Sequence, residues 1–130
     1  IEDGEPRLFE TDPSGTPYEW KALAVGADRG DIQEYLETNY DEEADLEGGI
    51  ELALSALATA NDGSLRPEGV GMATVDAESE QFVQLTDDEV GEYLESFDLL
   101  AAEEDDTETD DADEEDDAGA DDSTDDDSEE

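Results

Sequence analysis

The sequence predicts an α+β fold in which antiparallel hairpins alternate with helices. Two pairs of short apolar segments are each separated by turn residues, and three longer segments repeat apolar residues at helical spacing. The resulting order is strand, strand, helix, helix, strand, strand, helix. Because strands joined by tight turns pair antiparallel, and helices cover the apolar face of such sheets, we expect sheets sandwiched by helices.

The first hairpin is expected over residues 7–26. Its first strand covers residues 7–12, and the Pro-Ser-Gly sequence at 13–15 supplies the turn, since proline fixes φ and glycine accepts a positive φ. The second strand covers residues 18–26 and is apolar on both faces in its second half. We therefore expect that half to be covered on both sides.

Two helices are expected next, over residues 28–40 and about 46–60. Asp28 and Asp45 stand where a capping side chain belongs, and the Asn-Asp-Gly sequence at 61–63 ends the second helix. The apolar spacing gives each helix one buried face. The expected faces are Ile32, Tyr35, Leu36 and Tyr40 in the first helix, and Leu46, Ile50, Ala53, Leu54, Leu57 and Ala58 in the second.

The second hairpin has strands expected at residues 70–76 and 81–85. The four residues between them, 77–80, are polar and short enough to form the turn. A third helix follows this hairpin directly.

The third helix has the strongest local signal in the chain. Thr86 and Glu89 are spaced as a capping box, and Leu85 and Val90 are placed as the hydrophobic staple that often accompanies one. The expected buried face consists of Val90, Tyr93, Leu94 and Phe97.

The chain is strongly acidic. It contains 46 Asp and Glu but only 4 Lys and Arg, so its formal net charge is −42 at pH 7. The first 102 residues hold 27 of the acids and all four basic residues, Arg7, Lys21, Arg29 and Arg66. They also carry the regular apolar pattern, so we expect residues 1–102 to fold. An acidic folded domain with so little lysine is typical of proteins that work in molar salt.

Residues 103–130 are expected to be a disordered acidic tail. They contain 19 acidic residues and no apolar residue larger than alanine. Such a segment cannot bury enough surface to offset the entropy cost of ordering. We consider two functions for it, a solvated appendage and a binding arm for a basic partner.

The composition excludes several chemistries. The chain has no Cys and no His, which removes disulfides, thiol nucleophiles, histidine bases and nearly all zinc or copper sites. It has no basic patch for nucleic acid, and no apolar stretch approaches the ~18 residues that a membrane span needs. We assign no catalytic, cofactor-binding or metal-binding residue, and we expect no cofactor.

Five segments, in this order, resemble one protein family. They are PRLFETDPSGTPYEWKALAVG (6–26), YLETNY (35–40), LEGGIELALSALA (46–58), LRPEGVGMATVD (65–76) and LTDDEVGEYLE (85–95). Together they resemble the C-terminal half of an archaeal proteasome core-particle α subunit, over about residues 1–97. The acid-rich, lysine-poor composition is similar to that of the halophilic members.

The resemblance implies a fold, a function and partners. The fold is half of a four-layer αββα sandwich of the Ntn-hydrolase type, with residues 1–102 as the C-terminal part of an α-type domain. The function is that of a non-catalytic, cytoplasmic subunit of a threonine-type endopeptidase complex, supporting assembly and gated substrate entry for protein degradation. The implied partners are other α subunits in a heptameric ring, β subunits and a regulatory ATPase, with neither nucleic acid nor membrane among them. The segments for gating and ATPase docking would lie upstream of Ile1.

Two alternatives stay open. A catalytic β subunit has the same fold, but usually shows Gly-Ser-Gly-Ser where this chain has Gly-Ala-Asp-Arg at 26–29, and a Ser-Gly pair where Asp62 is followed by other residues. Mature β subunits also begin with a nucleophilic threonine, whereas this sequence begins with Ile1. The alternative of a different class is an acidic interaction module that binds basic proteins.

Lys21 matches a basic position of the α family. It is expected either as a ring contact or as a surface lysine whose stem lies along the strand.

Overall fold

The computed structural model describes residues 1–102, and its elements follow the predicted order. The elements are β1 (Leu8–Thr11), β2 (Pro17–Trp20), α1 (Arg29–Asn39), α2 (Leu46–Thr59), a 3₁₀ turn (Pro67–Gly69), β3 (Ala73–Val75), β4 (Phe82–Gln84) and α3 (Asp87–Ser96). The prediction of an α+β fold is confirmed. The tail predicted for residues 103–130 lies outside the described residues.

The strands form two separate antiparallel pairs within the described part of the chain. In the first pair Leu8 lies opposite Trp20, and in the second pair Val75 lies opposite Phe82. Each pair is a hairpin of three or four residues per strand. A two-stranded hairpin is marginally stable by itself, so both depend on what packs against them.

The second strand is shorter than the sequence predicted. It ends at Trp20, and the expected continuation over residues 21–26 is not a strand. The residue opposite Trp20 is Leu8, the first residue of β1, and Pro6, two residues earlier, has no N–H to donate to a ladder. The expectation that residues 21–26 are covered on both sides is also wrong in part, because Ala24 is buried whereas Val25 is 70% exposed.

In each hairpin turn an aspartate side chain accepts hydrogen bonds from the turn backbone. The carboxylate of Asp12 accepts hydrogen bonds from the backbone N–H groups of Ser14 (2.9 Å) and Thr16 (3.2 Å), while Gly15 takes a φ of 83°. The carboxylate of Asp76 likewise accepts from the N–H groups of Glu78 (2.7 Å) and Ser79 (3.1 Å). These hydrogen bonds favour the charged carboxylates. The pKa of Asp12 is lowered chiefly by the Ser14 hydroxyl, and that of Asp76 by the two backbone donors.

The predicted helix caps differ in outcome. Asp45 is extended (ψ −176°) and its carboxylate accepts a hydrogen bond from the Gly48 N–H at 2.9 Å, which confirms the cap of α2. Asp28 also precedes its helix, but its side chain makes no capping hydrogen bond. The backbone explains the difference, because Asp28 has a ψ of 26° instead of the extended conformation that turns a capping side chain toward the first N–H groups.

The capping box of α3 is present as predicted. The Glu89 N–H donates to the Thr86 hydroxyl at 3.2 Å, and the Thr86 N–H donates to the Glu89 carboxylate at 3.2 Å. Leu85 is partly buried against the same apolar cluster that contains the fully buried Val90, as a hydrophobic staple requires.

Helix α2 packs against apolar clusters on two sides. Ile50, Leu54 and Ala58 belong to one cluster, which α3 completes, whereas Ala56 belongs to another, which α1 completes. Positions two apart on an α-helix are separated by about 200°, so the two sets lie on opposite sides of α2. The remaining buried members of the clusters are Leu65, Val90 and Leu94 in the first and Ala24 and Leu36 in the second.

The single buried stripe predicted for α2 is therefore wrong in part. Leu46 and Leu57, expected to be buried, are 42% and 40% exposed, and Ala53 is exposed as well. Ala56, which the stripe left out, is 1% exposed because α1 covers it. Tyr40 is also exposed, since α1 ends before it and its backbone turns extended.

None of the described helices is long and apolar enough to cross a lipid bilayer.

The two leucines of α2 provide a matched test of this packing. Leu54→Ala should lower the free energy of unfolding by about 2–5 kcal/mol, because it opens a cavity in a core where Leu54 is 0% exposed. Leu57→Ala, the same substitution at a 40% exposed site one turn away, should cost less than about 1 kcal/mol. Thermal unfolding in molar KCl, followed by helical circular dichroism, measures both. Equal losses would mean that α2 does not pack in this orientation.

Candidate interaction surfaces

Arg7 links the start of the chain to the first hairpin. Its guanidinium donates to both carboxylate oxygens of Glu19, at 3.0 and 2.9 Å, and to the carboxylate of Glu2 at 2.5 Å. It also lies over the ring of Phe9, 4.8 Å from the centroid. Glu19 and Glu2 raise the pKa of Arg7, and Arg7 lowers the pKa of Glu19. The sequence analysis missed this cluster, although in the hairpin register Arg7 lies diagonally across from Glu19.

Lys21 forms an ion pair with a distant residue. Its Nζ lies 2.9 Å from a carboxylate oxygen of Glu42, which stands in the loop between α1 and α2. The hydrogen bond to Glu42 raises the pKa of Lys21. Both side chains remain more than two-thirds exposed, so the pair adds little to stability. No local pattern could have predicted it, because the partners are far apart in sequence.

All acidic side chains in positions 1–102 lie outside the core. No polar or charged residue is buried in this part of the chain, and both apolar clusters consist of aliphatic and aromatic residues. No group of three acidic side chains in the described region is arranged to hold a metal ion. The carboxylates thus form a distributed negative surface without a defined ion site in these residues.

Both hairpins present apolar side chains to solvent. In the first, Leu8 and Phe9 are 42% and 49% exposed, and because neighbouring strand residues point to opposite faces, neither face is fully covered. In the second, Phe82 and Val83 are 68% and 44% exposed on successive positions in the same way. Exposed apolar surface on a short sheet is typical of a site that another part of a protein covers.

The indole nitrogen of Trp20 also lacks a partner in the first hairpin. Its indole Nε1 is shielded from solvent, yet it has no hydrogen-bond acceptor among residues 1–102. Buried donors are satisfied in the great majority of native structures. The first hairpin therefore has both an unpaired donor and uncovered apolar side chains.

An open groove runs beside the segment that follows β2. It is lined mainly by Ala22, Val25, Ile32, Leu36, Leu52 and Ala56, from that segment, α1 and α2. Lys21 and Tyr40 are the polar side chains that also line it. Its mainly apolar lining suits packing against another protein segment.

The chain combines helices with short antiparallel sheets whose faces are incompletely covered, and comparison with known protein families shows where it belongs. The family described as "Proteasome subunit" matches residues 1–75, more than half of the chain. The chain belongs to the proteasome subunit family.

The relatives identify the branch of the family to which the chain is similar. It is 66% identical to the proteasome subunit alpha of Natronomonas pharaonis over 85% of this chain and 44% of that protein. It is 67% identical to proteasome subunit alpha 1 of Haloarcula marismortui over 81% of this chain and 40% of that protein. For proteasome subunit alpha 1 of Haloferax volcanii the identity is 58%, over 82% and 42%.

These matches confirm the resemblance drawn from the sequence to archaeal proteasome α subunits of halophilic organisms. The chain spans about two fifths of the length of the curated relatives that it matches.

The ion pair between Lys21 and Glu42 can be tested directly. Because Lys21 is the chain's single lysine, a zero-length carbodiimide reagent should join its amine to the Glu42 carboxylate, 2.9 Å away. Peptide mapping should find this crosslink as the main intramolecular product at Lys21. Glu42→Gln should abolish it, whereas Glu43→Gln, at the neighbouring position, should leave it in place. Crosslinking of Lys21 chiefly to other carboxylates would contradict this loop geometry.

The acidic surface predicts a requirement for salt. Of the 31 charged residues in residues 1–102, 27 are acidic, and the usual scaling of surface with mass places neighbouring charges about 13 Å apart. The Debye length is about 10 Å at 0.1 M salt and about 3 Å at 1 M, so molar salt suppresses most of the repulsion. We expect a KCl titration, followed by circular dichroism and sedimentation, to show that both the folded structure and the association of subunits are lost at low salt.

A charge-reduced variant serves as the control. Glu92→Gln with Glu95→Gln removes two exposed charges from α3 and should shift the transition to lower KCl. Structure and association that stay unchanged from molar KCl to low-salt buffer would exclude a halophilic role for the surface.

Proposed function

We propose that this chain is part of a non-catalytic α-ring subunit of the proteasome core particle, which supports assembly and gated entry of substrates for degradation. The observation that carries this proposal is the 66% identity to a protein named proteasome subunit alpha over 85% of the chain. The partners would be other α subunits in a heptameric ring, proteasome β subunits and a regulatory ATPase. The location would be the cytoplasm.

The proposal includes the fold of the complete subunit. Residues 1–102 would form part of a four-layer αββα sandwich, in which further strands cover the two hairpins. The exposed Phe9 and Phe82 and the unpaired Trp20 Nε1 support this, because all three would gain partners from added layers. Helices α1 and α2 would form part of one outer layer, and the remainder of a longer subunit would supply the rest.

A non-catalytic role is supported by the residues themselves. At positions 26–29, where α1 begins, the chain has Gly-Ala-Asp-Arg in place of the Gly-Ser-Gly-Ser usual in catalytic β subunits. Asp62, after α2, is followed by Gly63 and Ser64 in place of a Ser-Gly pair. Both differences favour the α type.

The acidic surface supports a second candidate function of a different class. With no charged residue buried in the described region, the carboxylates are free to bind basic proteins. Such an interaction module would bind histone-like proteins tightly at low salt and release them at high salt, since screening weakens interactions between exposed charges. An α-ring subunit should show the opposite dependence, with assembly favoured by high salt.

Assembly with a proteasome β subunit tests the proposal. The chain, joined to the remainder of an archaeal α subunit and co-expressed with the β subunit in molar KCl, should co-purify with it as a ring-sized particle. The chain alone should hydrolyse no peptide substrate. Val83→Ser should reduce assembly because this sheet residue would be covered, whereas Leu100→Ser, equally exposed at 44% but outside both sheets, should not.

Two results would refute the proposal. The first is peptide hydrolysis by the chain alone that threonine-protease inhibitors block, which would favour a β-type subunit. The second is absence of a ring together with tight, salt-sensitive binding to basic proteins, which would favour the interaction module.

A further inference from the structure

The chain contains two Asp-Gly pairs that share an unusual backbone conformation. Asp3 and Gly4 have φ angles of 53° and 80°, and Asp62 and Gly63 have φ angles of 57° and 84°. Both pairs lie in the left-handed region, and all four residues are exposed. The pairs therefore allow a comparison in which residue type, backbone conformation and exposure are alike.

The pairs differ in the hydrogen bonding of the glycine nitrogen. The Gly63 N–H donates to the carbonyl oxygen of Ala58 at 2.8 Å, within the turn that ends α2. The turn around Gly4 is held instead by two bonds between Glu2 and Glu5, at 2.9 and 3.0 Å. In residues 1–102 the Gly4 N–H donates to no acceptor.

The glycine nitrogen is the reacting atom when an Asp-Gly sequence isomerises through a succinimide. It loses its proton and attacks the side-chain Cγ of the preceding aspartate, since glycine has no side chain to hinder the approach. The N–Cγ bond forms and the Cγ–OH bond of the protonated carboxyl breaks. The hydroxyl leaves as water with the proton that the nitrogen gave up, and a cyclic succinimide results. Water then adds to either ring carbonyl and restores aspartate or produces isoaspartate, so water is the only co-reactant.

We propose that Asp3 is a site of spontaneous isoaspartate formation and that Asp62 is protected. Ring closure needs a glycine nitrogen that is free to lose its proton and a backbone that is free to rotate toward the side chain. At Gly63 both require the bond to Ala58 to break first. At Gly4 the nitrogen is already free of such a bond, and rotation at Asp3 has to open only the two bonds between the exposed residues Glu2 and Glu5.

Isomerisation at Asp3 has a structural consequence. Isoaspartate adds one CH₂ to the main chain between Glu2 and Glu5, which disrupts the pair of backbone bonds that closes this turn. Glu2 would then move relative to Arg7, and their ion pair at the start of the first hairpin would be lost. Slow isomerisation of Asp3 would thus disrupt the Arg7 cluster, which links Glu2 to β1 and β2.

Incubation of the full chain in molar KCl at neutral pH tests the proposal. Isoaspartate is measured at both sites over time by peptide mapping with electron-transfer fragmentation. The rate at Asp3 should exceed the rate at Asp62 by about tenfold, which corresponds to about 1.4 kcal/mol of activation free energy. The same chain in concentrated urea is the internal control, because without the bond to Ala58 the two rates should become similar.

Matched variants complete the test. Asp3→Glu should remove most of the isoaspartate, since glutamate would have to close a larger ring, while Asp62→Glu should change the total little. Equal rates in the folded chain, or a faster rate at Asp62, would overturn the proposal. So would a rate ratio that persists unchanged in urea, because the difference would then come from the neighbouring residues and not from the fold.

Discussion

The described structure depends on α2 packing on two sides at once. The helix connects two apolar clusters that share no buried residue. It contributes Leu54 and Ala58 to one cluster and Ala56 to the other. On the side of α1 the buried residue of α2 is Ala56, and Leu52, one turn earlier, is partly buried against the same cluster. The hairpins contribute less to these clusters, and Ala24, beyond the end of β2, is the buried residue from the first hairpin region. The fold is thus a set of helices around α2, to which two short sheets are attached.

That arrangement explains why the sheets are incompletely covered. The buried residues of α2 are used in contacts with α1 and α3, and each hairpin keeps one phenylalanine side chain exposed, Phe9 or Phe82. Six of the twelve large apolar side chains that are exposed in residues 1–102 lie on the strands, namely Leu8, Phe9, Tyr18, Val75, Phe82 and Val83. The location of that surface on the sheets suits the addition of further layers, as expected for a chain that spans about two fifths of its relatives.

The charges and the core are cleanly separated. No charged residue is buried in residues 1–102, so the stability of the two clusters does not require any particular ion pair. The ion pairs of Arg7 and Lys21 lie at the surface, where Arg7 joins Glu2 to Glu19 and Lys21 contacts Glu42. Salt therefore acts on this protein mainly through the general repulsion among carboxylates and not by breaking specific bridges.

The sequence by itself determined whatever depends on neighbouring residues. It predicted the order of elements, the turn with Gly15, the cap at Asp45 and the capping box of Thr86 and Glu89, because each rests on interactions within a few residues. Family membership also followed from the sequence, since five segments in a fixed order are specific.

Only the tertiary structure decided the features that depend on distant partners. The burial of Ala56, the exposure of Leu57 and the end of β2 at Trp20 all follow from which element lies alongside, and no local pattern records that. The missing cap at Asp28 also became visible only in the structure, where this residue has a ψ of 26° and its side chain makes no capping hydrogen bond. The pairing of Lys21 with Glu42 required the loop after α1 to fold back toward the first hairpin. Local chemistry fixes turns and caps, whereas the packing of α1 and α3 around α2 fixes which side chains are buried.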